Sequence, residues 1–250
     1  MTHSTVDSTA GGYTIKVLIP TNYVASAVVY HHGAGETAAS LTSDPLKAGV
    51  VARLLDDGYL VASSDAAGEN WGNQAGLDAY TALQSYLVTN YAPTKTAIFS
   101  QSMGGCTGLL AASTGFTGLC AWFGICPVCS LSSMFAANAG TYAGAIRTAY
   151  GIAGDGSDYA SKTSGFDPAL KSASLFNRLP MRFWSSSGDT VVGKTTNSDA
   201  MATLVSGSKA ESTNVACTGD HGDTSHFDPQ GVSDFLARAF VARSSAYRSV

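Results

Sequence analysis

Apolar and polar positions along the chain fall into two alternating patterns. Short runs rich in β-branched and aromatic residues predict strands at Tyr13–Ile19, Ala25–Tyr30, Tyr59–Ser63, Thr96–Phe99, Leu119–Ile125, Met181–Ser185 and Ser212–Cys217. Stretches with a period of about 3.6 residues lie between them and predict helices. Pro45–Leu55 is one, with Ser43 or Asp44 as its cap and Gly58 just past its end. Gly76–Tyr91 is another, with Leu77, Tyr80, Leu83, Leu87 and Tyr91 on one face. Met103–Ala112, Ser198–Leu204 and Val232–Val241 complete the set. Apolar strands that alternate with helices predict an α/β fold, a mainly parallel central sheet with helices on both faces.

Residues 127–178 break this rhythm. They are rich in Ala, Gly, Ser and Tyr, with weak helical patches and no clear strand. The expectation is a small lid-like insertion over one end of the sheet, after the strand at 119–125, and not a second domain. The chain as a whole, 1–250, fits one α/β domain with a large buried core.

Charge excludes some partners. Charged residues make up 13% of the chain, the net charge is −4, and no Lys/Arg cluster occurs, so nucleic-acid binding is not expected. No apolar run approaches a membrane span. The first ten residues have neither a basic start nor an apolar core, so no signal peptide is expected there. Low charge with abundant Ser, Thr and Gly nevertheless points to an extracellular setting. Cys106, Cys120 and Cys217 lie in apolar runs and read as core residues. Cys126-Pro-Val-Cys129 has C-x-x-C spacing but no second ligand pair for a structural zinc, and reads as loop or core thiols or a local disulfide.

The strand at Thr96–Phe99 ends in Ser100-Gln101-Ser102-Met103-Gly104, and the helix Met103–Ala112 follows at once. Small residues two before and two after Ser102 let strand and helix approach closely and lift its hydroxyl onto the helix N-terminus. A nucleophile for acyl transfer is needed in such a place. The pattern is normally written G-x-S-x-G, and its first position here is Ser100. Two further strands end in groups that suit such a serine. Met181–Ser185 runs into Asp189, and Ser212–Cys217 runs into His221. Serine, acid and base thus occur in the order Ser102, Asp189, His221, each just past its own strand, so all three project from one sheet edge. His226 is the rival base, but it lies beside the last helix, where a cap or packing role serves as well. The strand Ala25–Tyr30 ends in His31-His32-Gly33-Ala34-Gly35, a turn able to aim a backbone N–H at an oxyanion. Ala34 is the expected donor, with Gly33 behind it, and Met103 supplies the second N–H. His32 reads as a residue that orders the loop. Trp71, after the strand at 59–63, is a candidate pocket wall or a packing residue.

On these residues the chain resembles the α/β-hydrolase superfamily. It is similar to small bacterial esterases, lipases and cutinase-type polyesterases that carry Ser-Met-Gly-Gly after the elbow strand, here Ser102 to Gly105. The resemblance runs from Tyr13 to the closing helix. It implies the α/β-hydrolase fold, hydrolysis of a small-molecule or polymeric carboxylic ester, and no metal or organic cofactor. It does not separate a simple ester, a polyester or an acylated sugar.

Three other readings compete. Gly33-Ala-Gly35-Glu-Thr-Ala38 matches a dinucleotide fingerprint, but the helix signals begin near Ser43 to Pro45, too late for a helix opening at the glycines. His221, Asp223 and His226 could form a metal cluster, which would leave the elbow serine idle. A binding module on a hydrolase fold would not need all of these parts.

Overall fold

The computed structural model describes residues 2–137, 141–206 and 212–246; residues 138–140 of the expected insertion lie outside them. The strands are β1 (His3–Ala10), β2 (Tyr13–Pro20), β3 (Ser26–His31), β4 (Leu60–Ser64), β5 (Lys95–Gln101), β6 (Leu119–Ile125), β7 (Met181–Ser186) and β8 (Ser212–Cys217). The helices are α1 (Ser40–Ser43), α2 (Pro45–Asp56), α3 (Gln74–Tyr91), α4 (Gly104–Thr114), α5 (Leu131–Ala137), α6 (Thr141–Tyr150), α7 (Tyr159–Lys162), α8 (Ala200–Ser206) and α9 (Pro229–Ala246).

One sheet holds all eight strands in the order β1-β2-β4-β3-β5-β6-β7-β8. From β4 to β8 the neighbours are parallel, and β2 runs antiparallel to both β1 and β4. The pleat sorts successive side chains to opposite faces. Val29, Ile98, Trp122 and Phe183 pack under α3, α4 and α8. Val28, Phe99, Phe123 and Trp184 pack under α2 and α9. β3, β4 and β6 are buried at every residue, as strands covered on both faces must be.

Strand β1 departs from the expected pattern. It pairs with β2 along its whole length, from His3 opposite Pro20 to Ala10 opposite Tyr13. The two-residue loop Gly11-Gly12 has positive φ at both positions, the geometry that suits a right-twisted hairpin. Helix α2 starts where expected, with Asp44 accepting the Leu46 N–H. Helix α3 begins two residues before the expected start, capped by the Asn73 side chain on the Gly76 N–H.

Within 127–178 the described residues form helices and short turns but no strand. Asn197 accepts the Cys129 and Ser130 N–H groups, and Asp167 accepts those of Leu131 and Ser132, which fixes the chain after β6. Residues from α5 and α6 pack with Trp71, Met103, Val128 and Val192 in a third apolar cluster. Those four residues follow the C-terminal ends of β4, β5, β6 and β7, so this cluster lies over that edge of the sheet. No two of the five cysteines are joined by a disulfide. Cys217 is half-buried, because it lies near the end of edge strand β8, and not in the core as its apolar run suggested.

Candidate active site

Ser102 stands between β5 and α4 with φ of +48°, in the left-handed region. A side chain there costs roughly 1–2 kcal/mol, so neighbouring contacts must hold it. The Ser102 N–H donates to the Ile125 carbonyl at 3.1 Å, and its own carbonyl accepts from Gly105 and Val128, both at 2.8 Å. Three glycines make the turn fit. A Cβ on Gly104 would lie 2.0 Å from the His31 carbonyl oxygen, and one on Gly105 would lie 2.5 Å from that of Val128. One on Gly108 would lie 2.1 Å from Oγ of Ser100, which explains why the position two before Ser102 has to be small.

His221 lies in the loop after β8. Its Nε2 is 2.9 Å from Ser102 Oγ, and its Nδ1 is 2.8 Å from Asp189 Oδ2. Asp189 is buried, and its Oδ1 accepts the N–H groups of Val191 and Val192 at 2.9 and 2.8 Å. That leaves Oδ2 for the imidazole. Asp220, next to His221 in the chain, does not reach the ring. Its Oδ1 accepts the His221 N–H at 2.7 Å and the Thr190 N–H at 2.8 Å, tying the His221 loop to the Asp189 loop. The Thr190 N–H, followed by that of His221, holds the Asp220 carboxyl below its ordinary range. Asp65, another acid at a strand end, accepts the Ala38 N–H instead.

Across from Ser102 lies the turn after β3. The absent Cβ of Gly33 would touch Ser102 Cβ at 3.6 Å. Among the described residues, the N–H groups of Ala34 and Met103 donate to no protein acceptor. The Gly33 N–H is already used: it donates to Glu36 Oε2 at 3.2 Å, which removes Gly33 as a second donor. The ring nitrogens of His32 lie 2.8 and 3.1 Å from the carbonyl oxygens of Gly33 and Asp65, and whichever carries the proton donates to its carbonyl, as a loop-ordering residue would. No helix opens at Gly33–Gly35; the one-turn α1 begins at Ser40.

Glu36 leads to a network that the sequence pattern did not signal. Fully buried Lys47 on α2 donates to Glu36 Oε1 at 2.8 Å, to Gln101 Oε1 at 3.1 Å, and to Asp44. The Tyr30 hydroxyl donates to Glu36 Oε2 at 2.5 Å. The network thus joins the Gly33–Ala34 turn to Gln101, the residue before Ser102. Burial pushes the Tyr30 hydroxyl pKa well up, and the adjacent Glu36 carboxylate adds to the shift. For Asp44, burial acts upward, but the hydrogen bonds from Lys47 and the Leu46 N–H outweigh it and hold the carboxyl below its ordinary range. Its stabilising contribution is therefore complete above the ordinary aspartate range and is lost as pH falls through the depressed value.

Other expected residues lie elsewhere. His226 is fully buried in a short turn, with Nδ1 on the Asp223 carbonyl at 3.0 Å. Asp223 caps that turn through the Ser225 N–H, so His221, Asp223 and His226 do not converge. Among the described residues, the group of metal-capable atoms that does converge is Cys126, Asp189 and His221. Trp71 is buried against Tyr142 in the same apolar cluster as Ala34 and Met103, and its carbonyl accepts from Tyr150.

Comparison with known proteins gives the fold a name. No family model matches the sequence, and no curated protein does. Solved structures do match. An S-formylglutathione hydrolase from Agrobacterium tumefaciens superimposes with a TM-score of 0.70 at 14% identity, covering 95% of this chain and 95% of its own. An esterase from Pyrococcus furiosus gives 0.68 at 15% identity, covering 95% and 90%. Carboxyl esterase 2 from the mycorrhizal fungus Tuber melanosporum gives 0.69 at 14% identity, covering 94% and 83%. The chain has the α/β-hydrolase fold, as its sequence resemblance implied. Among the described residues no helix is long and apolar enough to cross a membrane.

Proposed function

We propose that the chain is a serine hydrolase of carboxylic esters, working through an acyl-enzyme. The observation that carries this reading is the continuous hydrogen-bond chain from Asp189 through His221 to Ser102, at 2.8 and 2.9 Å. The similar folds are described as esterases and an S-formylglutathione hydrolase, which supports the same class.

Ser102 Oγ attacks the ester carbonyl while His221 Nε2 takes its proton. Asp189 holds the imidazole in the tautomer that leaves Nε2 free to accept, and stabilises the imidazolium that forms. The N–H groups of Ala34 and Met103 receive the oxyanion, and a lost donor of that kind costs roughly 3–4 kcal/mol. His221 then protonates the leaving alcohol, and water, activated by the same base, releases the acid. Ala34, Met103 and Val191 belong to the apolar cluster beside Ser102, so the acyl part of the substrate meets an apolar wall from this chain. The described residues of 127–178, among them Leu131, Met134 and Ile146, supply much of that wall and act as a cap over the site. The direct test is labelling with a fluorophosphonate and mapping of the modified peptide, followed by a panel of esters of graded acyl length. Label on Ser102 supports the reading; turnover with no label on Ser102 removes it.

The two histidines separate the roles. His221→Ala should lower kcat by several orders of magnitude, whereas His226→Ala should leave kcat of the folded protein within a few-fold and lower its melting temperature. Steady-state kinetics beside thermal melts read this out, and the reverse ranking would reassign the base.

Lys47 tests the coupling of the oxyanion turn to the elbow. Lys47→Met leaves Glu36 and Asp44 without their cation. Removing one partner from a buried ionic cluster costs about 3 kcal/mol or more. Urea titration should show that loss, and kcat should fall with little change in KM as the Gly33–Ala34 turn loosens. An unchanged midpoint would mean that Lys47 does not hold the turn.

A further inference from the structure

Cys126 takes no part in the ester mechanism, yet it sits against it. It follows β6 directly, in left-handed backbone with φ of +45°, and its buried sulfur accepts the Gly222 N–H at 3.5 Å. Its Sγ, a carboxylate oxygen of Asp189 and a ring nitrogen of His221 all lie within 4.8 Å of one another. Nδ1 is the nitrogen on that side of the ring, because it is the one bonded to Asp189. A point equidistant from three atoms so spaced is at most roughly 2.8 Å from each, so each ligand atom moves in by up to roughly 0.5–0.8 Å to reach zinc bonds of about 2.0–2.3 Å. The hydrogen bond between His221 and Asp189 would open to roughly 3.3 Å, the separation of two oxygen or nitrogen ligands on tetrahedral zinc. A thiolate, an imidazole and a carboxylate form a donor set for a borderline-soft divalent ion. The three arrive on different loops, after β6, β7 and β8, so sheet topology and not a local motif brings them together.

We propose that Cys126, Asp189 and His221 form an inhibitory site for a soft divalent cation of the zinc class. The proposal rests on the serine-hydrolase reading for its consequence, but not for the binding itself. Binding forms three bonds, from the metal to Sγ, to a carboxylate oxygen and to Nδ1. The thiol gives its proton to solvent. The neutral imidazole, now bound through Nδ1, keeps one proton, which moves to Nε2. Thiolate and carboxylate together balance the two positive charges, and water completes the coordination. Nε2 then donates to Ser102 and no longer accepts its proton, so the base is lost while Ser102 and the apolar wall stay open. Entry is beside Gly222, where a Cβ would have no atom within 4 Å, and past the His221 ring, whose side chain is 20% exposed.

The test uses the full chain. Titration with Co2+ should produce a thiolate-to-cobalt charge-transfer band, and Zn2+ should displace it. Zn2+ should lower kcat without raising KM, and a chelator should restore turnover. In Cys126→Ala the band should vanish, and both Co2+ affinity and Zn2+ inhibition should weaken by at least about tenfold, since even an outer-shell partner of a metal is worth that much. His221→Ala removes a ligand while keeping the Cys126 thiol, and should weaken Co2+ binding by a similar factor. A wild-type protein with no band, or a band and inhibition that persist in Cys126→Ala, overturns the site. A band that depends on Cys126 in a protein that hydrolyses no ester would preserve the metal site and remove the hydrolase reading. Ester turnover that depends on Ser102, with no such band, would do the reverse.

Discussion

Ser102→Ala should abolish ester turnover and fluorophosphonate labelling while the fold survives. The variant removes one oxygen from a half-buried side chain. It leaves in place the backbone bonds that pin the elbow: Ser102 N–H to Ile125, and Ser102 carbonyl to Gly105 and Val128. Ala tolerates the left-handed φ about as well as Ser does, so stability should stay within about 1 kcal/mol. Chemistry has no such reserve. Without Oγ no acyl-enzyme forms, and His221 has only water to activate. Loss of the nucleophile from an assembled triad lowers kcat by about a millionfold, to the level that oxyanion donors and binding sustain. Thermal melts beside burst-phase kinetics on an activated ester would show both halves of this result. Activity within a few-fold of wild type would end the proposed assignment.

The three positions that meet at the sheet edge were legible because each follows an apolar strand, and the order of strands in space follows from α/β topology. The elbow was legible because an apolar strand runs straight into a helix with small residues at 100 and 104 on either side of Ser102, and a Cβ on Gly104 would collide with the His31 carbonyl. Strand β1 was not. Five of its eight residues are exposed and only Val6 and Ala10 are apolar, so the hydrophobic signal is weak. Lys47 was opaque for a different reason. A lysine on an amphipathic helix reads as solvated, and its burial depends on Glu36 and Gln101, which arrive from other elements. The same holds for the Gly33 N–H: whether it is free depends on where the Glu36 carboxylate turns. Trp71 could be placed after its strand but not turned, because pocket wall and packing residue share the same local pattern. Cys126 shows the limit most clearly. Its C-x-x-C spacing drew attention to Cys129, while its neighbours in space are Asp189 and His221. Local pattern thus located seven of the strands and, through their ends, the three residues that meet at the sheet edge, whereas partners that no strand end announces, such as Lys47 with Glu36 and Gln101, lay beyond it.

Asp189→Asn should lower kcat by about 10⁴-fold with little change in KM, although it conserves shape and volume. The backbone around Asp189 decides which way the new amide turns. Val191 and Val192 aim two N–H groups at Oδ1, so only the amide oxygen can sit there. The amide nitrogen is then forced into the place of Oδ2, 2.8 Å from His221 Nδ1. It donates to that nitrogen, so Nδ1 must accept and the ring proton moves to Nε2. Nε2 then donates to Ser102 and cannot take its proton. The site would hold every group in position with one proton on the wrong nitrogen. The acyl wall and the Ala34–Met103 donors are untouched, which is why KM should hold. The checks are kcat and KM on one activated ester, with the imidazole proton located by nitrogen NMR. A proton found on Nε2 in Asp189→Asn and on Nδ1 in the wild type would establish the cause, and a variant within tenfold of wild-type kcat would show that Asp189 does not set the tautomer.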